Sequence, residues 1–274
     1  MNILLDDICA YLDFLIGKLG YFVTLHGSPI VIPELAKYNF HLNPYCRYIK
    51  TVCNNWNICV EKQKKVFEKV KDGEFFGVCH AGVGEYVYPI GSGDSSLGFI
   101  SVSGYAGRDE KQAVEKAVHF AEKNGFEVKT LLKMRADSLL SEQPEKAALD
   151  AVIHPLIIML EGYFEKVPFQ TCDSRSLYTD LLQYITENHC SELSVKMLGQ
   201  KFNYSVSTIS HLFKKNSGMS INQYIEKLRL DEAKWLLKHS ELSITEISDS
   251  LGFCNPAYFS YVFKKNFGVS PRNY

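Results

Sequence analysis

A group of cysteine and histidine residues lies between residues 41 and 80. Its members are His41, Cys46, Cys53, Cys59, Cys79 and His80. Zinc prefers thiolate and imidazole ligands, and iron–sulfur clusters are held by thiolates, so this group is a candidate metal or redox site. The spacing matches no standard metal motif, and the metal therefore stays unknown.

The same cysteines also fit the buried side of a helix, because free cysteine is among the most buried residue types. The apolar positions at helical spacing are Cys46, Ile49, Cys53, Trp56 and Val60. On one continuous helix Cys59 would point away from Cys46, unless the helix breaks at Asn54 and Asn55. The pattern is compatible with core packing and with a metal or redox site.

A second group of polar, aromatic and basic side chains lies on the outward faces of two segments near the end of the chain. In the first segment these are Ser207, Thr208, Ser210, His211, Lys214 and Lys215. In the second they are Pro256, Ala257, Tyr258, Ser260, Tyr261, Lys264 and Lys265. Hydroxyls and imidazole can bond to base edges, Ala and rings can touch thymine methyl groups, and lysines suit phosphates. The alternative is an ordinary solvated face of a helical bundle.

Both segments belong to one pattern that occurs twice, at 193–220 and 242–270. Each copy predicts a short amphipathic helix, a tight turn and a second helix that ends at Gly218 or Gly268. Ser205 and Asn255 can cap the second helices. The pattern predicts two helix-turn-helix units, at about 193–218 and 242–268, and a tandem pair favours DNA binding over a solvated face.

The rest of the chain separates into three parts. Residues 220–239 predict one long helix between the two units, and residues 167–175 predict a linker between domains 1–166 and 176–274. Residues 109–165 predict helices, with a stop at Gly125 and a break or kink at Pro155.

The first 105 residues predict an α+β module. They combine an N-terminal helix with four strand-like segments. The helix carries Ile8, Leu12, Leu15 and Leu19, and the strands are expected at 21–25, 74–79, 85–90 and 97–104.

Residues 193–274 resemble the DNA-binding domain of the AraC/XylS family of transcription regulators. The matching residues are Tyr224–Ile225, Arg229–Leu230, Ala233, Leu236–Leu237, Ile244–Ile247, Gly252–Phe253, Phe259, Phe263–Lys265 and Gly268–Pro271. The resemblance implies that both recognition helices enter successive major grooves. Base readout would then fall on Ser207, Ser210, His211, Pro256, Ala257, Tyr258, Ser260 and Tyr261. Several members have Arg, Gln or Trp at these positions, where this chain has small or aromatic residues. The implied partners are double-stranded DNA and RNA polymerase, and a second copy of the chain is a candidate partner.

Residues 5–165 resemble the PocR sensory domain. The matching residues are Cys46, Cys59, Cys79–Gly82, Pro89–Ile90, Leu97–Gly98 and Gly104. The resemblance implies a PAS-like fold that binds a small molecule, with Cys46, Cys59, Cys79 and His80 around the pocket. Tyr86, Ser103 and Tyr105, together with Tyr88 and Ser101, alternate on the expected strands and are candidates for the polar groups of that pocket; the alternative is that they are ordinary strand residues.

Charge and hydropathy narrow the function classes. The net charge is −1, and residues 176–274 have 11 Lys+Arg against 9 Asp+Glu, so charge alone does not identify a DNA-binding domain. The longest apolar run, 155–160, is too short to predict a membrane span, and the acidic start lacks the features of a secretory signal. We expect a cytoplasmic protein without a membrane partner.

The predicted architecture is an α+β, PAS-like sensor domain followed by an all-α double helix-turn-helix DNA-binding domain. The predicted function is a transcription regulator, an activator, that responds to a small-molecule inducer. The alternative is a cysteine-based stress regulator that senses a metal or a redox signal. No nucleophile–base constellation or Gly-rich phosphate loop is recognisable, so the sequence does not predict an enzyme.

Overall fold

The computed structural model describes residues 3–27, 34–35, 38–39, 41–51, 56–91, 96–166, 177–239 and 242–274. Cys53, the possible break at Asn54 and Asn55, and the predicted linker 167–175 lie outside these ranges. The chain divides into two compact units. The first comprises residues 1–47 and 61–175, and the second comprises residues 48–60 and 176–274.

A four-stranded antiparallel sheet forms the centre of the first unit. Its strands are β1 (Phe22–His26), β2 (Phe75–Val78), β3 (Gly84–Ile90) and β4 (Gly98–Tyr105). They are ordered β1-β4-β3-β2. Each strand overlaps one of the strand-like segments expected from the sequence, and the α+β interpretation of this part is confirmed.

Among the described residues of the range 3–166, six α-helices precede, separate or follow these strands in sequence. They are α1 (Ile3–Gly17), α2 (Pro44–Thr51), α3 (Trp56–Lys69), α4 (Glu110–Asn124), α5 (Val128–Ser138) and α6 (Lys146–Lys166). A single 3-10 turn, Val70–Asp72, continues from α3. Gly125 ends α4 in the left-handed conformation, as expected.

The apolar face of the sheet packs against α1 and α6. Ile8, Leu12 and Leu15 of α1 are fully buried there, which confirms them as core residues. Leu19 follows the end of the helix and is 43% exposed, so its predicted place on the helix is wrong. The sheet contributes Val23, Leu25, Tyr86, Tyr88, Ile90, Ile100, Val102 and Tyr105 to this core.

The opposite face of the sheet carries polar side chains in its interior. We call the set Thr24, His26, Glu85, Ser101 and Ser103 the polar sheet face. The strand register puts all five on one side, and each is at most 8% exposed. Phe99 and Val87 lie on the same side and pack against Val70. The first unit therefore buries an apolar face of its sheet on one side and a face with five polar side chains on the other.

A β-bulge changes the side of the sheet on which β4 ends. Ser103 pairs with Glu85, whereas Tyr105 pairs with Gly84, and the register shifts between these two pairs. Gly104 lies at this shift with φ 98°. An extra residue in one strand reverses the alternation of side chains, so Tyr105 joins the apolar face and Ser103 does not.

Helix α6 continues through Pro155 from Lys146 to Lys166, so of the predicted break or kink the break is wrong and the kink stays a prediction. Proline removes one helical hydrogen bond, at a cost of about 3 kcal/mol. Burial on both sides of the proline, by Ile153 and Leu156 among others, offsets that cost. Length and composition alone would allow α6 to cross a membrane, but these side chains lie in the core of the first unit.

The described residues 177–239 and 242–274 of the second unit form helices joined by short turns, without a strand. They contain α7 (Leu177–Asn188), α8 (Val195–Phe202), α9 (Val206–Ser217), α10 (Ile221–His239), α11 (Ile244–Ser250), α12 (Pro256–Phe267) and a 3-10 turn, Pro271–Asn273. The expected long helix between the two repeats is α10. The all-α prediction for this domain is confirmed.

Matched apolar residues of the repeat form the cores of the two helix-turn-helix units. The buried residues are Leu198, Ile209 and Phe213 in the first helix-turn-helix unit, and Ile247, Leu251, Phe259, Val262 and Phe263 in the second helix-turn-helix unit. Each buried side chain of this size contributes roughly 1.5 to 3 kcal/mol of hydrophobic free energy. These residues orient the second helix of each unit and decide which of its sides faces outward.

Candidate functional site

The first candidate recognition helix is α9. Ser205 caps it, since its Oγ accepts a hydrogen bond of 3.0 Å from the Thr208 backbone N–H. Asn203 makes the turn before it in the left-handed conformation, with φ 58°. Ser207, Thr208 and His211 are exposed on this helix.

The second candidate recognition helix, α12, begins in the same way. Asn255 Oδ1 accepts a hydrogen bond of 2.7 Å from the Tyr258 backbone N–H, and Pro256 occupies the first helical turn. Gly252 takes the left-handed position in this turn, with φ 71°. Tyr258 and Tyr261 are 44% and 63% exposed.

Most of the predicted DNA-binding residues lie on the sides of α9 and α12 that face away from their buried residues. Exposed members are Ser207, Thr208, His211, Lys214, Lys215, Ala257, Tyr258, Tyr261, Lys264 and Lys265. Half-buried members are Ser210, Pro256 and Ser260. The arrangement presents two polar helix faces, each followed by a lysine pair, and such faces can bond to base edges and to phosphates.

One contact of α12 was not predicted. The Tyr258 hydroxyl donates a hydrogen bond of 3.1 Å to Glu226 Oε2 on α10. This bond, and then partial burial, raise the pKa of Tyr258. The two residues are 32 positions apart, so no local pattern in the sequence indicates this contact.

Arg229 is a second residue that the sequence reasoning did not assign to a site. It lies on α10, and its guanidinium donates hydrogen bonds to the backbone carbonyls of His189, Ser191 and Gly252. The resemblance included Arg229 as a matching position but gave it no role. The sequence signal for such a buried polar contact was an arginine in a helix with an apolar side.

In the first unit, Cys79 and His80 belong to a tight turn between β2 and β3. Gly82 N–H donates to the Cys79 carbonyl at 3.1 Å, and the Tyr45 hydroxyl donates to the Ala81 carbonyl at 3.1 Å. Because Tyr45 precedes Cys46, this bond brings the start of α2 to the turn. The His80 ring lies 5.3 Å from the Phe120 ring.

Arg135 fixes the same turn from α5. It is 3% exposed, and both Nε and Nη2 donate to the Gly82 carbonyl, at 3.1 and 2.9 Å. Its Nη2 also donates to Glu110 at 3.0 Å. This hydrogen bond to Arg135 lowers the pKa of Glu110. Arg135, paired with Glu110, therefore fixes the position of this turn through the Gly82 carbonyl.

The predicted ligand-binding residues of the sheet lie on both of its faces, and the common pocket with Cys46, Cys59, Cys79 and His80 stays a prediction. Cys46, Cys79 and His80 belong to the first unit, and Cys59 belongs to the second. Tyr86 and Tyr105 lie on the apolar face, with ring centres 5.9 Å apart, whereas Ser103 lies on the polar sheet face.

His26, on the polar sheet face, lies beside His41, and the sequence had indicated only His41 of this pair as a candidate ligand. His26 Nε2 lies 2.9 Å from Ser101 Oγ and 3.2 Å from His41 Nε2. The His26 ring stacks on Phe99, with ring centres 4.4 Å apart. The signal was the alternation along β1, in which Thr24 and His26 alternate with buried aliphatic residues.

Among the described residues, one group of three side chains has ligand atoms close enough to hold a metal ion. It consists of Glu74, Asp150 and His154, with these atoms within 4.8 Å of one another. Lys146 Nζ already lies 2.6 Å from both Glu74 and Asp150. The ammonium group neutralises these carboxylates and repels a cation, so this cluster is a surface ion-pair network.

Two protein families match the chain. The family described as the sensory domain found in PocR matches residues 11–154. A helix-turn-helix domain family matches residues 198–274. The two matches lie on the α+β unit and on the helical repeat.

The chain is also similar to individual regulators. The uncharacterized HTH-type transcriptional regulator YijO of Escherichia coli K12 is 27% identical over 182 residues, which are 66% of this chain and 63% of the relative. The HTH-type transcriptional activator RhaS of Escherichia coli SE11 is 27% identical over 133 residues, 48% of this chain and 47% of the relative. The chain thus spans less than two thirds of these relatives.

One solved structure similar to this chain is the C-terminal domain of the two-component response regulator yesN from Fusobacterium nucleatum. It is 33% identical, covers 36% of this chain and 97% of that chain, and has a TM-score of 0.34. With the sensory-domain match over more than half of the chain and the helix-turn-helix match over the repeat, the chain belongs to the AraC family of transcription regulators and carries a PocR-type sensory domain.

Proposed function

We propose that this protein is a cytoplasmic transcription activator that binds DNA through both helix-turn-helix units and responds to a small molecule bound by its PAS-like N-terminal domain. The observation that carries the proposal is the tandem pair of capped helices, α9 and α12, with buried apolar sides and exposed polar sides. Each would place its outward face in one of two successive major grooves.

Activation requires a contact with RNA polymerase, and we include that enzyme among the partners. The name of the relative RhaS, a transcriptional activator, supports this direction of regulation. A second copy of the chain is a further candidate partner. Ligand binding would act by shifting the balance between conformations with different affinities for DNA, which requires different ligand affinities for those conformations.

We propose the polar sheet face as part of the ligand site. Burying polar groups costs free energy unless hydrogen bonds replace those lost to water. Ser103 Oγ is buried and has no hydrogen-bond partner among the described residues. A ligand that carries hydrogen-bonding groups would use this oxygen and its neighbours Thr24 and Ser101. The turn with Cys79 and His80, and Cys46 beside it, would be a second part of the site.

The DNA-binding proposal is tested with the full chain and a duplex from its own promoter region. We expect specific binding whose logarithmic salt dependence has a slope of about −0.9 for each phosphate neutralised. Replacing both Lys214 and Lys215 by Ala should reduce the slope and weaken all sequences similarly, and Lys264 and Lys265 should behave in the same way. The absence of any binding at low salt would refute the proposal.

The sensing proposal is tested by single variants Ser103→Ala, Cys79→Ser and Cys46→Ser in the full chain. The melting temperature and the inducer response of a reporter promoter are measured for each. A sensing role predicts that the response is lost while the melting temperature changes little. A variant that only packs the core should instead lower stability by roughly 1 to 3 kcal/mol and keep the response, which would contradict its sensing role. A loss confined to the cysteine variants would favour the metal or redox alternative.

A further inference from the structure

Arg229 connects two segments that are far apart in the sequence. Its Nε donates to the His189 carbonyl at 2.7 Å, and its Nη2 donates to the Ser191 carbonyl at 2.9 Å. Both acceptors lie between α7 and α8, just before the first helix-turn-helix unit. Its Nη1 donates to the carbonyl of Gly252, in the turn between α11 and α12.

Burying the Arg229 guanidinium costs solvation free energy, which apolar packing alone does not offset. Burial lowers the pKa of Arg229, because a charged group loses hydration when it enters the protein interior. Carbonyl dipoles from three backbone positions replace that hydration. A guanidinium has five donors in a rigid planar fork, so only a fixed arrangement of the two segments satisfies it.

The two segments are also in close contact at Gly252. A Cβ atom at this position would lie 2.7 Å from the Cys190 carbonyl oxygen and 3.0 Å from Arg229 Nη2. The positive φ of 71° also favours glycine. The turn of the second helix-turn-helix unit therefore packs against the segment that precedes the first helix-turn-helix unit, and Arg229 donates hydrogen bonds to both.

We infer that Arg229 is a positioning residue for DNA recognition, which sets the separation and the phase of the two recognition helices. The inference rests on the proposed function, in which α9 and α12 bind one duplex together. Arg229 itself touches no base in this account. It acts through the turn that leads into α12.

Linked binding elements gain affinity only when both reach their sites at once. A rigid arrangement favours one spacing of the two contact regions on DNA and discriminates against others. One inserted base pair moves the second region by about 3.4 Å and rotates it by about 35° around the duplex axis. Loosening the Arg229 connection should reduce this discrimination, because the second helix could then follow the displaced region.

The experiment uses the full chain and the preferred DNA site of the wild-type protein, together with duplexes that have one or two base pairs inserted between the contact regions. We expect each insertion to weaken wild-type binding at least about tenfold. In Arg229→Lys the ratio of affinities for the uninserted and inserted duplexes should fall several-fold. Lysine keeps the positive charge but cannot reach three carbonyls in the same geometry. Arg229→Gln, which retains donors without the charge, should change the ratio in the same direction.

Ile225→Val on the same helix is the matched control, because it loosens packing and leaves the three carbonyl bonds intact. It should keep the wild-type ratio. Circular dichroism at the assay temperature identifies a variant that has unfolded, and the other Arg229 variant then decides. A wild-type ratio in a folded Arg229 variant would overturn the inference, even though DNA binding persists. A wild-type protein that binds none of the duplexes would instead refute the proposed function.

Discussion

The two helix-turn-helix units have corresponding apolar core positions but differ in their turns and exposed surfaces. Asn203 takes the left-handed position in the first turn, and Gly252 takes it in the second. The first recognition helix exposes small hydroxyls and His211, whereas the second exposes two tyrosines. The second unit also has two polar connections to α10, through Arg229 and through the Glu226–Tyr258 hydrogen bond.

This difference separates what folds a unit from what the unit can do. The apolar positions at helical spacing are repeated because each unit must bury the same side of its helices. The exposed positions are not under that constraint, and they differ between the copies. Changes made at corresponding positions of the two units can therefore measure each contribution by itself.

The largest expected effect concerns the two turns. Gly252→Ala forces an alanine into the left-handed backbone conformation and puts its Cβ against the Cys190 carbonyl. We therefore expect the second helix-turn-helix unit to lose about 3 kcal/mol of stability. Asn203→Ala meets the conformational cost alone, about 1 kcal/mol. Native-state hydrogen exchange of the core amides of α12 and α9 measures both. Equal losses would show that the close contact at Gly252 contributes nothing.

A smaller effect is expected for base preference. His211→Ala should remove a hydrogen bond to a base and change the preferred base at one position, by roughly 1 to 3 kcal/mol of discrimination. Tyr261→Ala should affect a different position, about one helical turn of DNA away. Selection of bound sequences from a random pool detects both changes. An unchanged motif for either variant would exclude that residue from base reading.

The smallest effect concerns the first helix of each unit. Ser243 and Glu246 form a reciprocal capping box at α11, while Ser194 at α8 is followed by Met197 at the matching position. The hydrogen bonds from Ser243 lower the pKa of Glu246. A lowered pKa means that this stabilisation is present above the ordinary glutamate pKa and is lost as the pH falls through the folded-state value.

Protection factors for the first-turn amides of α11 and α8 should therefore diverge on acidification. We expect α11 to lose protection below about pH 4.5, while α8 changes less. Glu246→Gln should remove the pH dependence of α11. An equal response of both helices would show that another group causes it.

The helical repeat allowed much of the DNA-binding unit to be predicted from sequence. Two copies of one pattern identified buried positions such as Ile209 and Phe259, and the remaining sides of α9 and α12 followed from helical geometry. The caps Ser205 and Asn255 were predictable because they act within one turn. Arg229 and Glu226 were not, since their partners are distant in sequence and depend on the packing of α10.

The sensory unit was harder to predict for a related reason. Strand positions followed from local composition, but the sides of the strands did not follow completely. Alternation alone would put Ser103 and Tyr105 on the same face, and the bulge at Gly104 separates them. The contact between His26 and His41 joins β1 to residue 41, and no short motif links these positions.

The length of α10 limits how this protein can diverge from its relatives. The helix has 19 residues, and each residue adds about 1.5 Å of rise and 100° of rotation. One residue inserted into or deleted from α10 would therefore rotate the second helix-turn-helix unit by more than a quarter of a revolution relative to the first helix-turn-helix unit. Point substitutions on α9 and α12 change the preferred bases without this penalty. Descendants of this chain are thus expected to acquire new operators by substitution, and to inherit the number of base pairs between the two contact regions unchanged.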